Sequence, residues 1–249
     1  MTHNRQKVLD YWNKEETESM YDKHLINSEI RLIKKYLKQN SKVLDAGCGE
    51  GEGTKEYSSV KGVVVHAADF SDTRLKKAKR RLAKRKNVSL VKADFIDGYS
   101  YDKNYDFVIS QRFIINLMDW KIQKKVLLNL MSLLKKGGKL LVLEGCLEGV
   151  DALNQFRGAC GLKPIPIRWH NLFLSDKKLI RIMEANKYKL VDSDGLGAYF
   201  LLTRGIRPLL DKKLNWDSKF NKIVALENVS EILGLGSNFS RLKLWIFQK

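Results

Sequence analysis

Four glycines lie close together in the segment VLDAGCGEGEG, which runs from Val43 to Gly53. They occupy positions 47, 49, 51 and 53, after a short apolar run and ahead of a segment with helical character. Glycine lets the backbone adopt positive φ angles and approach a ligand closely, so this spacing predicts a ligand-binding turn between a strand and a helix. A dinucleotide fingerprint that starts at Gly47 requires glycine at position 52, which is Glu52, so the fit to that fingerprint is partial.

The charge of this turn separates the cofactor classes better than its glycines do. Asp45, Glu50 and Glu52 crowd the turn, and no basic residue follows until Lys55. A pyrophosphate would meet carboxylates here, whereas a cationic ligand would be attracted. S-adenosylmethionine carries a sulfonium and an α-ammonium group and no phosphate, and the backbone N–H groups of the turn could hold its carboxylate. We therefore predict this cofactor, with S-adenosylhomocysteine as the product, and predict these contacts in the turn: Asp45, Gly47, Cys48 and Gly49.

Acidic and aromatic residues follow the next two predicted strands. Asp69 ends the second strand, 22 positions after Gly47, where a carboxylate can accept hydrogen bonds from both ribose hydroxyls. Asp94 follows the third strand, where its carboxylate could accept from the adenine amino group. The remaining predicted cofactor contacts are two aromatic residues and one residue after the fourth strand: Phe70, Phe95 and Gln111. Both acids also have a structural interpretation, Asp69 as a helix cap and Asp94 as the first residue of a turn.

Short apolar runs alternate with helical or loop segments along the chain, which predicts a parallel sheet flanked by helices. The predicted strands are 42–46, 62–69, 88–92, 107–110 and 139–144, followed by 187–193 and 241–247. The predicted helices are 25–39, 120–135 (ending before the glycine pair 137–138) and 175–186, with irregular segments at 147–174 and 194–238. Because the carboxyl ends of parallel strands meet at one edge of a sheet, Asp45, Asp69, Asp94 and residues 110–112 should gather there.

The stretches DAGCGEG, AADFS, VKADF, YDFVIS and LLKKGGKLLVLEG, in this order and spacing, resemble the successive motifs of class I S-adenosylmethionine-dependent methyltransferases. The resemblance covers about residues 37–144. It implies an α/β, Rossmann-like fold with a seven-stranded, mostly parallel sheet, an antiparallel last strand and helices on both faces. One departure is Lys136, where these proteins often have proline. The stretches QRFIINL and EGCLEGVDALNQFRGACGLKPIPIRWHN resemble a subgroup found among bacterial surface-polysaccharide and small-metabolite biosynthesis genes.

One histidine is the preferred candidate for a catalytic base. Methyl transfer to a hydroxyl is helped by a general base, and imidazole is half neutral near pH 6.5. His170 lies in the sequence Arg168-Trp169-His170-Asn171, after the predicted core strands. The alternative is a hydrogen-bonded loop histidine without a chemical role, and His24 is the second candidate base.

Segments that reach over the strand ends combine aromatic residues with arginines. Aromatic faces stack on sugar rings, and arginine binds phosphate or carboxylate through two N–H groups. This combination favours a small acceptor that is sugar-linked, nucleotide-linked or otherwise anionic, and methyl transfer to one of its oxygens. The predicted acceptor contacts are Tyr21, Arg112, Asn116, Asn154, Arg157, Arg168 and Asn171, with Tyr11, Trp12, Tyr199 and Arg204 in the same segments. Packing of a lid is the alternative role of the aromatic residues.

The composition predicts one folded domain in the cytoplasm. The chain has 249 residues, 44% of them hydrophobic, and no apolar run of membrane-spanning length. Within this domain we expect an N-terminal helical cap (1–40), a cofactor-binding core (41–146) and two substrate-lid segments (147–174 and 194–238). Three isolated cysteines have neither disulfide-framework nor metal-ligand spacing, so no metal is expected: Cys48, Cys146 and Cys160.

The net charge of +18 raises the question of a nucleic-acid substrate. The densest basic run, 75–86, has an apolar helical face, and a solvated helix surface is favoured over an RNA-binding patch. The segment SQRFIINL contains neither the Pro-Pro-aromatic motif that orients exocyclic amines nor the Pro-Cys pair that attacks pyrimidines. A small-molecule acceptor is therefore favoured. RNA methylation is the alternative, and a non-catalytic cofactor-binding subunit is a second one.

Overall fold

The computed structural model describes residues 3–14, 21–99, 102–211, 213 and 215–249. Within these residues, seven strands form one sheet: β1 Lys42–Ala46, β2 Val64–Asp69, β3 Val88–Lys92, β4 Tyr105–Gln111, β5 Leu134–Gly145, β6 Lys189–Gly195 and β7 Leu242–Gln248. The strand order is β3-β2-β1-β4-β5-β7-β6. Strands β1 to β5 are parallel, and β7 runs antiparallel to both of its neighbours. The predicted α/β, Rossmann-like fold with an antiparallel last strand is confirmed.

Helices cover both faces of the sheet. Their bounds are α1 His3–Asn13, α2 Lys23–Lys34, α3 Glu52–Tyr57, α4 Asp72–Arg81, α5 Trp120–Ser132, α6 Leu147–Ala159, α7 Asp176–Ala185, α8 Gly197–Phe200, α9 Arg207–Leu210, α10 Lys219–Val224 and α11 Glu227–Leu233. A 3₁₀ turn spans Ile114–Asn116, and a π-helical turn, Leu201–Ile206, joins α8 to α9. In the part of the chain that the structure describes, no helix is both long and apolar enough to span a bilayer.

Alternate residues of each strand face the two cores. On β1, Val43 packs with Ile33 of α2, whereas Leu44 packs in the core that contains Val126 of α5. Because side chains alternate with a period of two along a strand, a strand buried on both faces is apolar at nearly every position. Burial on both faces explains the continuous apolar runs of the sequence. These runs form the sheet whose strand ends carry the site residues.

The chain departs from the predicted elements in two places. Helix α5 ends at Ser132, and the glycine pair 137–138 lies within β5 rather than at the helix end. Gly137 has a φ of +77°, and its N–H donates to the carbonyl of Lys249. The turn at Gly137 is therefore hydrogen-bonded to the residue that follows β7. Residues 147–159 form α6, and most of 197–233 is helical, because these segments bury apolar residues such as Leu153 and Phe200 against the sheet.

Candidate functional site

A cavity of about 620 Å³ opens at the carboxyl ends of β1, β2 and β4. Strand pairing brings these ends together, because Ala46 pairs with Ala68 on one side and with Ser110 on the other. The volume is in the range of pockets that bury small ligands. The predicted site residues that line the cavity are Asp45, Gly47, Cys48, Gly49, Asp69, Phe70, Asp94, Phe95, Gln111, Tyr21, Arg112, Asn116, Arg168, His170 and Asn171.

The glycine turn after β1 is held by its own hydrogen bonds. The N–H groups of Gly47 and Cys48 both donate to the carbonyl of Ala68, at 2.8 and 3.0 Å. The N–H of Gly49 donates to Oδ2 of Asp69 at 2.9 Å. These donors tie the turn to the end of β2. These three N–H groups are thus already paired within the fold, and contact of the turn with the cofactor's carboxylate stays a prediction.

Two glycines of the turn serve different purposes. At Gly47, with a φ of +72°, an added Cβ would lie 2.6 Å from side-chain atoms of Phe113, so this glycine permits close packing. At Gly49, with a φ of +55°, an added Cβ would meet no atom within 4 Å. Gly49 therefore borders open space in the cavity, where a ligand can approach the backbone.

Helix α4 neutralises two of the three acids of the turn. Glu50 Oε1 lies 2.5 Å from Arg74 Nη1 and 3.1 Å from Lys77 Nζ. Glu52 Oε1 lies 3.3 Å from Arg81 Nη2. The sequence argument from charge therefore holds for Asp45 and not for the two glutamates, because basic residues distant in sequence pack against them.

Asp45 and Asp69 are the buried acids that remain at the cavity. Asp45 accepts a 2.6 Å hydrogen bond from the hydroxyl of Thr54, and burial raises its pKa to about 6. Asp69 accepts from the N–H groups of Gly49 and Ser71, each at 2.9 Å, and burial raises its pKa as well. Each carboxylate oxygen has a second lone pair, so Asp69 can still accept from two hydroxyls. The N-cap of α4 is Ser71, so Asp69 does not serve as the helix cap.

The other predicted cofactor contacts form the wall of the cavity. Asp94 Oδ1 accepts from the N–H of Ile96 at 3.0 Å, so Asp94 shapes a turn as well as lining the cavity. Phe95 is buried and stacks on Tyr99, with ring centroids 5.4 Å apart. Gln111 is bonded at both ends of its amide, to Tyr57 and to a glutamate described below, so it serves mainly to position its neighbours.

The donor set fits S-adenosylmethionine. A cationic ligand finds two buried carboxylates at Asp45 and Asp69, and an aromatic wall at Phe70 and Phe95 suits the adenine. Open space next to Gly49 leaves room for close approach at the turn.

The loop after β4 is held by buried carboxylates. Arg112 has a φ of +52°, and its Nε lies 3.0 Å from Oε2 of Glu29, a fully buried residue of α2. The same carboxylate oxygen accepts from Gln111 Nε2 at 2.8 Å. Since a non-glycine residue with positive φ is strained, this ion pair stabilises an unfavourable backbone conformation at the cavity wall.

Glu144 fixes the next part of this loop. It is fully buried at the end of β5, and its carboxylate accepts from the Ser110 hydroxyl and from the backbone N–H groups of residues 113, 114 and 115, at 2.6 to 3.2 Å. Burial raises its pKa to about 7. Asn116 donates to the carbonyl of Arg112, and Asn171 donates to the side chain of Asn116 at 3.1 Å. Glu144 thus positions a loop that presents polar groups to the cavity.

His170 is buried and stacked. Its ring lies 4.6 Å from the ring of Tyr11 in α1, with an interplanar angle of 25°, and Trp12 and Trp169 contact it edge-on. Its Nδ1 is buried without a hydrogen-bond partner among the described residues. Burial, and then the charge of Arg168, lower its pKa, so the ring is neutral at pH 7. Both interpretations of His170, as a base and as a structural loop residue, stay predictions.

Other predicted residues lie elsewhere. Asn154 exchanges two hydrogen bonds with the backbone of Ile165, and Arg157 donates to the carbonyls of Lys163 and Arg204. Neither lines the cavity, and both brace the segment that does. Tyr199 is buried and donates to Asp22, and His24 lies 3.2 Å from Asp217, outside the cavity wall.

Three residues at the site were not predicted. Glu29 is spaced with Leu25 and Leu32 as i, i+4 and i+7 on the buried face of α2, and an acid at this spacing was a signal in the sequence. Glu144 ends an apolar strand, which is a weaker signal of the same kind. Arg241 lines the cavity from the residue before β7, and its position depends on pairing between distant strands.

Comparison with known proteins gives a family match for part of the chain. Residues 43–138 match the family model described as a methyltransferase domain. Phosphoethanolamine N-methyltransferase 2 of Caenorhabditis elegans is 32% identical over 121 residues, which are 47% of this chain and 27% of that protein. A demethylmenaquinone methyltransferase of Staphylococcus carnosus is 26% identical over 184 residues, 73% of this chain and 75% of that protein. The chain thus spans only about a quarter of the first relative and three quarters of the second.

Solved structures share the fold. Phosphoethanolamine N-methyltransferase 1 of Haemonchus contortus, in complex with phosphoethanolamine and S-adenosylhomocysteine, superposes with a TM-score of 0.65 at 17% identity, over 98% of this chain and 48% of that one. The matched family segment begins in β1 and contains the glycine turn, Asp69 and Asp94, the residues on which the cofactor prediction rests. Residues 43–138 therefore match a methyltransferase domain, and the chain has the fold of class I S-adenosylmethionine-dependent methyltransferases.

Proposed function

We propose that this protein transfers a methyl group from S-adenosylmethionine to an oxygen of a small sugar-linked or anionic acceptor. The observation that carries the proposal is a single cavity lined both by Asp45 and Asp69 and by His170 and Arg168. Holding a donor and an acceptor in one cavity replaces an encounter in solution, and such positioning is worth about 7–11 kcal/mol in favourable cases.

His170 is the proposed general base. The cofactor supplies a methyl group on a positive sulfur, and S-adenosylhomocysteine leaves as the new C–O bond forms. A hydroxyl acceptor must lose its proton in this process, and a neutral imidazole can take it. The lowered pKa of His170 keeps the ring neutral at pH 7. The amide pair Asn116 and Asn171 offers polar groups that can orient the acceptor.

The relatives' names support a small acceptor but not one chemical class. They name phosphoethanolamine in one case and demethylmenaquinone in the other. The arginines and the neutral histidine of this cavity favour an anionic hydroxyl compound. The resemblance of residues 144–171 to proteins of surface-polysaccharide and small-metabolite biosynthesis supports a sugar-linked acceptor in such a pathway.

Transfer of a labelled methyl group tests the proposal. The purified protein is incubated with methyl-labelled cofactor and, separately, with nucleotide sugars, phosphorylated hydroxy compounds, amines and RNA, and the label in each product is counted. We expect incorporation into a hydroxyl of a small anionic compound. Incorporation into RNA alone, or into amines alone, would contradict the proposal, and cofactor binding without turnover on any acceptor would favour a non-catalytic role.

Substitution of His170 tests the base. His170→Gln should lower kcat by about 10²- to 10⁴-fold on the acceptor found in the screen, with little change in cofactor affinity. His24→Gln is the matched control, because its ring lies against Asp217 and outside the cavity wall. Undiminished turnover of His170→Gln across the pH range would leave the histidine with a positioning role at most.

A further inference from the structure

Three arginines come together in the part of the cavity that lies away from the glycine turn. Arg241 precedes β7, whose first residue, Leu242, pairs with Gly145 at the carboxyl end of β5. Strand β7 lies three positions from β1 in the sheet, which at a spacing of about 4.8 Å separates them by about 14 Å. Arg168 and Arg204 line the same cavity.

Aromatic rings hold the planes of these guanidinium groups. The Cζ atom of Arg204 lies 3.7 Å from the ring centroid of Trp216, and that of Arg168 lies 5.6 Å from Tyr21. The rings of Tyr21 and Trp216 are themselves 5.7 Å apart. Stacking engages the face of a guanidinium, so a ligand would be bound through N–H groups at its edge. In Arg204, Nη1 and Nη2 each already donate one hydrogen bond, to Thr203 and to Asp22.

Arg241 is held in the same manner. Its Cζ lies 5.6 Å from the ring of Phe173, and its Nη2 donates to the carbonyl of Pro166 at 3.2 Å. That carbonyl precedes Arg168 by two residues, so the two arginines share one short segment of wall. Burial, and then the charges of Arg204 and Arg168, lower the pKa of Arg241 to about 10.

Among the described residues, one carboxylate pairs with the three cations of the cluster. Asp22 lies 2.5 Å from Arg204 Nη2. Within the described residues, Arg168 and Arg241 have no carboxylate within ion-pair distance. Tyr21 and His170 also lie beside Arg168, and the lowered pKa of His170 leaves its ring uncharged at pH 7. Counted over the described residues, the cluster carries an excess of about two positive charges, and like charges gathered without a counter-ion are unfavourable unless an anion joins them.

We propose that Arg168, Arg204 and Arg241 form a subsite for a phosphate group of the acceptor. A phosphate monoester carries about −1.5 to −2 charges at pH 7, which matches the excess charge, whereas a carboxylate supplies only one. Its three oxygens can accept from several guanidinium edges at once. That the phosphate belongs to the methyl acceptor rests on the proposed function. The anion subsite itself is inferred from the charge and geometry of the three arginines.

Calorimetry with three probes tests the subsite without turnover. The protein, saturated with S-adenosylhomocysteine, is titrated with inorganic phosphate, with glucose 6-phosphate and with glucuronate. We expect both phosphates to bind more tightly than glucuronate. Arg168→Gln and Arg241→Gln should each weaken phosphate binding by about ten- to a hundredfold, the effect of losing a charge-assisted hydrogen bond. Arg181→Gln, at an exposed position on α7, is the matched control and should bind as the unchanged protein does.

Two further arms identify the source of the phosphate and separate the two proposals. Vesicles of phosphatidylcholine with phosphatidic acid replace the free phosphates, and arginine-dependent binding to them alone would assign the subsite to a lipid headgroup. Arg168 is exposed, so Arg168→Gln should fold even if Arg241→Gln does not. Arginine-dependent phosphate binding with no methyl transfer to any small sugar-linked or anionic compound would refute the proposed function and leave the anion subsite standing. Equal phosphate binding by both variants, or no binding by any probe, would refute the subsite.

Discussion

The affinity for the cofactor should depend on pH through Asp45. Burial raises the pKa of this carboxyl to about 6 in the free protein, and a cationic ligand binds its ionised form. The ionised fraction is then about nine tenths at pH 7 and about one tenth at pH 5. Affinity should fall by about tenfold between these values, because a one-unit change in pH below the pKa changes the ionised fraction tenfold.

Titration calorimetry with S-adenosylhomocysteine at constant ionic strength from pH 5 to 8 measures this slope. The charge of Asp69 is one of the causes that raise the pKa of Asp45, so Asp69→Asn should move the midpoint to lower pH as well as weaken binding. Asp45→Asn should give a flat profile at reduced affinity. The matched control is Asp72→Asn, whose side chain is 76% exposed, and it should retain the slope.

Two results would refute this reasoning. A flat profile in the unchanged protein would mean that Asp45 is ionised throughout or does not interact with the ligand. An unchanged slope in Asp45→Asn would assign the titration to another group, and Asp69→Asn would then identify or exclude Asp69.

Three further predictions concern the buried groups of the site. Glu144→Ala should lower the free energy of unfolding by about 3 kcal/mol in urea titrations, because three backbone N–H groups lose their acceptor, and Glu144→Gln should cost less because one oxygen remains. Glu29→Ala should cost about 3 kcal/mol and should cost less in a chain that also has Arg112→Ala, since the single change leaves the arginine without its partner. The pKa of His170 is below the ordinary 6.5, so the folded state binds this proton less readily than the unfolded chain does. The contribution of His170 to Tm should therefore be constant above pH 6.5 and become unfavourable below it, and the difference in Tm between the unchanged protein and His170→Gln should show this pH dependence. Equal pH dependence of Tm in both proteins would contradict the last prediction.

The sheet and the cofactor side of the cavity could be predicted because their signals are local. The turn from Asp45 to Gly49 and the acids at positions 69 and 94 each follow a strand directly, and parallel strands bring their carboxyl ends together whatever the loops do. The end of α5 could not be placed in the same way. Its glycine pair resembles a helix stop, but the pairing of residues 137 and 138 with Lys249 draws them into β5.

The acceptor side depends on contacts between distant segments. Asn154 and Arg157 lie on α6, and the sequence does not tell which face of that helix meets the cavity, so both were predicted to bind the acceptor although they brace residues 163–165. Arg241 reaches the cavity because β7 pairs antiparallel with β5, a contact between residues about a hundred positions apart. Helical spacing could have identified Glu29, because an acid between apolar residues on a buried face requires a partner.

The basic charge of the chain accounts for part of the cofactor selectivity. Helix α4 overlaps the densest basic run: Lys77 and Arg81 of that run, with Arg74 just before it, pair with Glu50 and Glu52 of the glycine turn. Without these ion pairs, the negative charge of the turn would be spread over three acids, Asp45, Glu50 and Glu52. With them, the uncompensated negative charge is confined to Asp45 and the nearby Asp69, inside the cavity, where low solvent exposure strengthens attraction for a sulfonium or ammonium group. A basic residue run that first suggests a nucleic-acid surface thus serves, on one of its faces, to localise the charge that selects a small cationic cofactor.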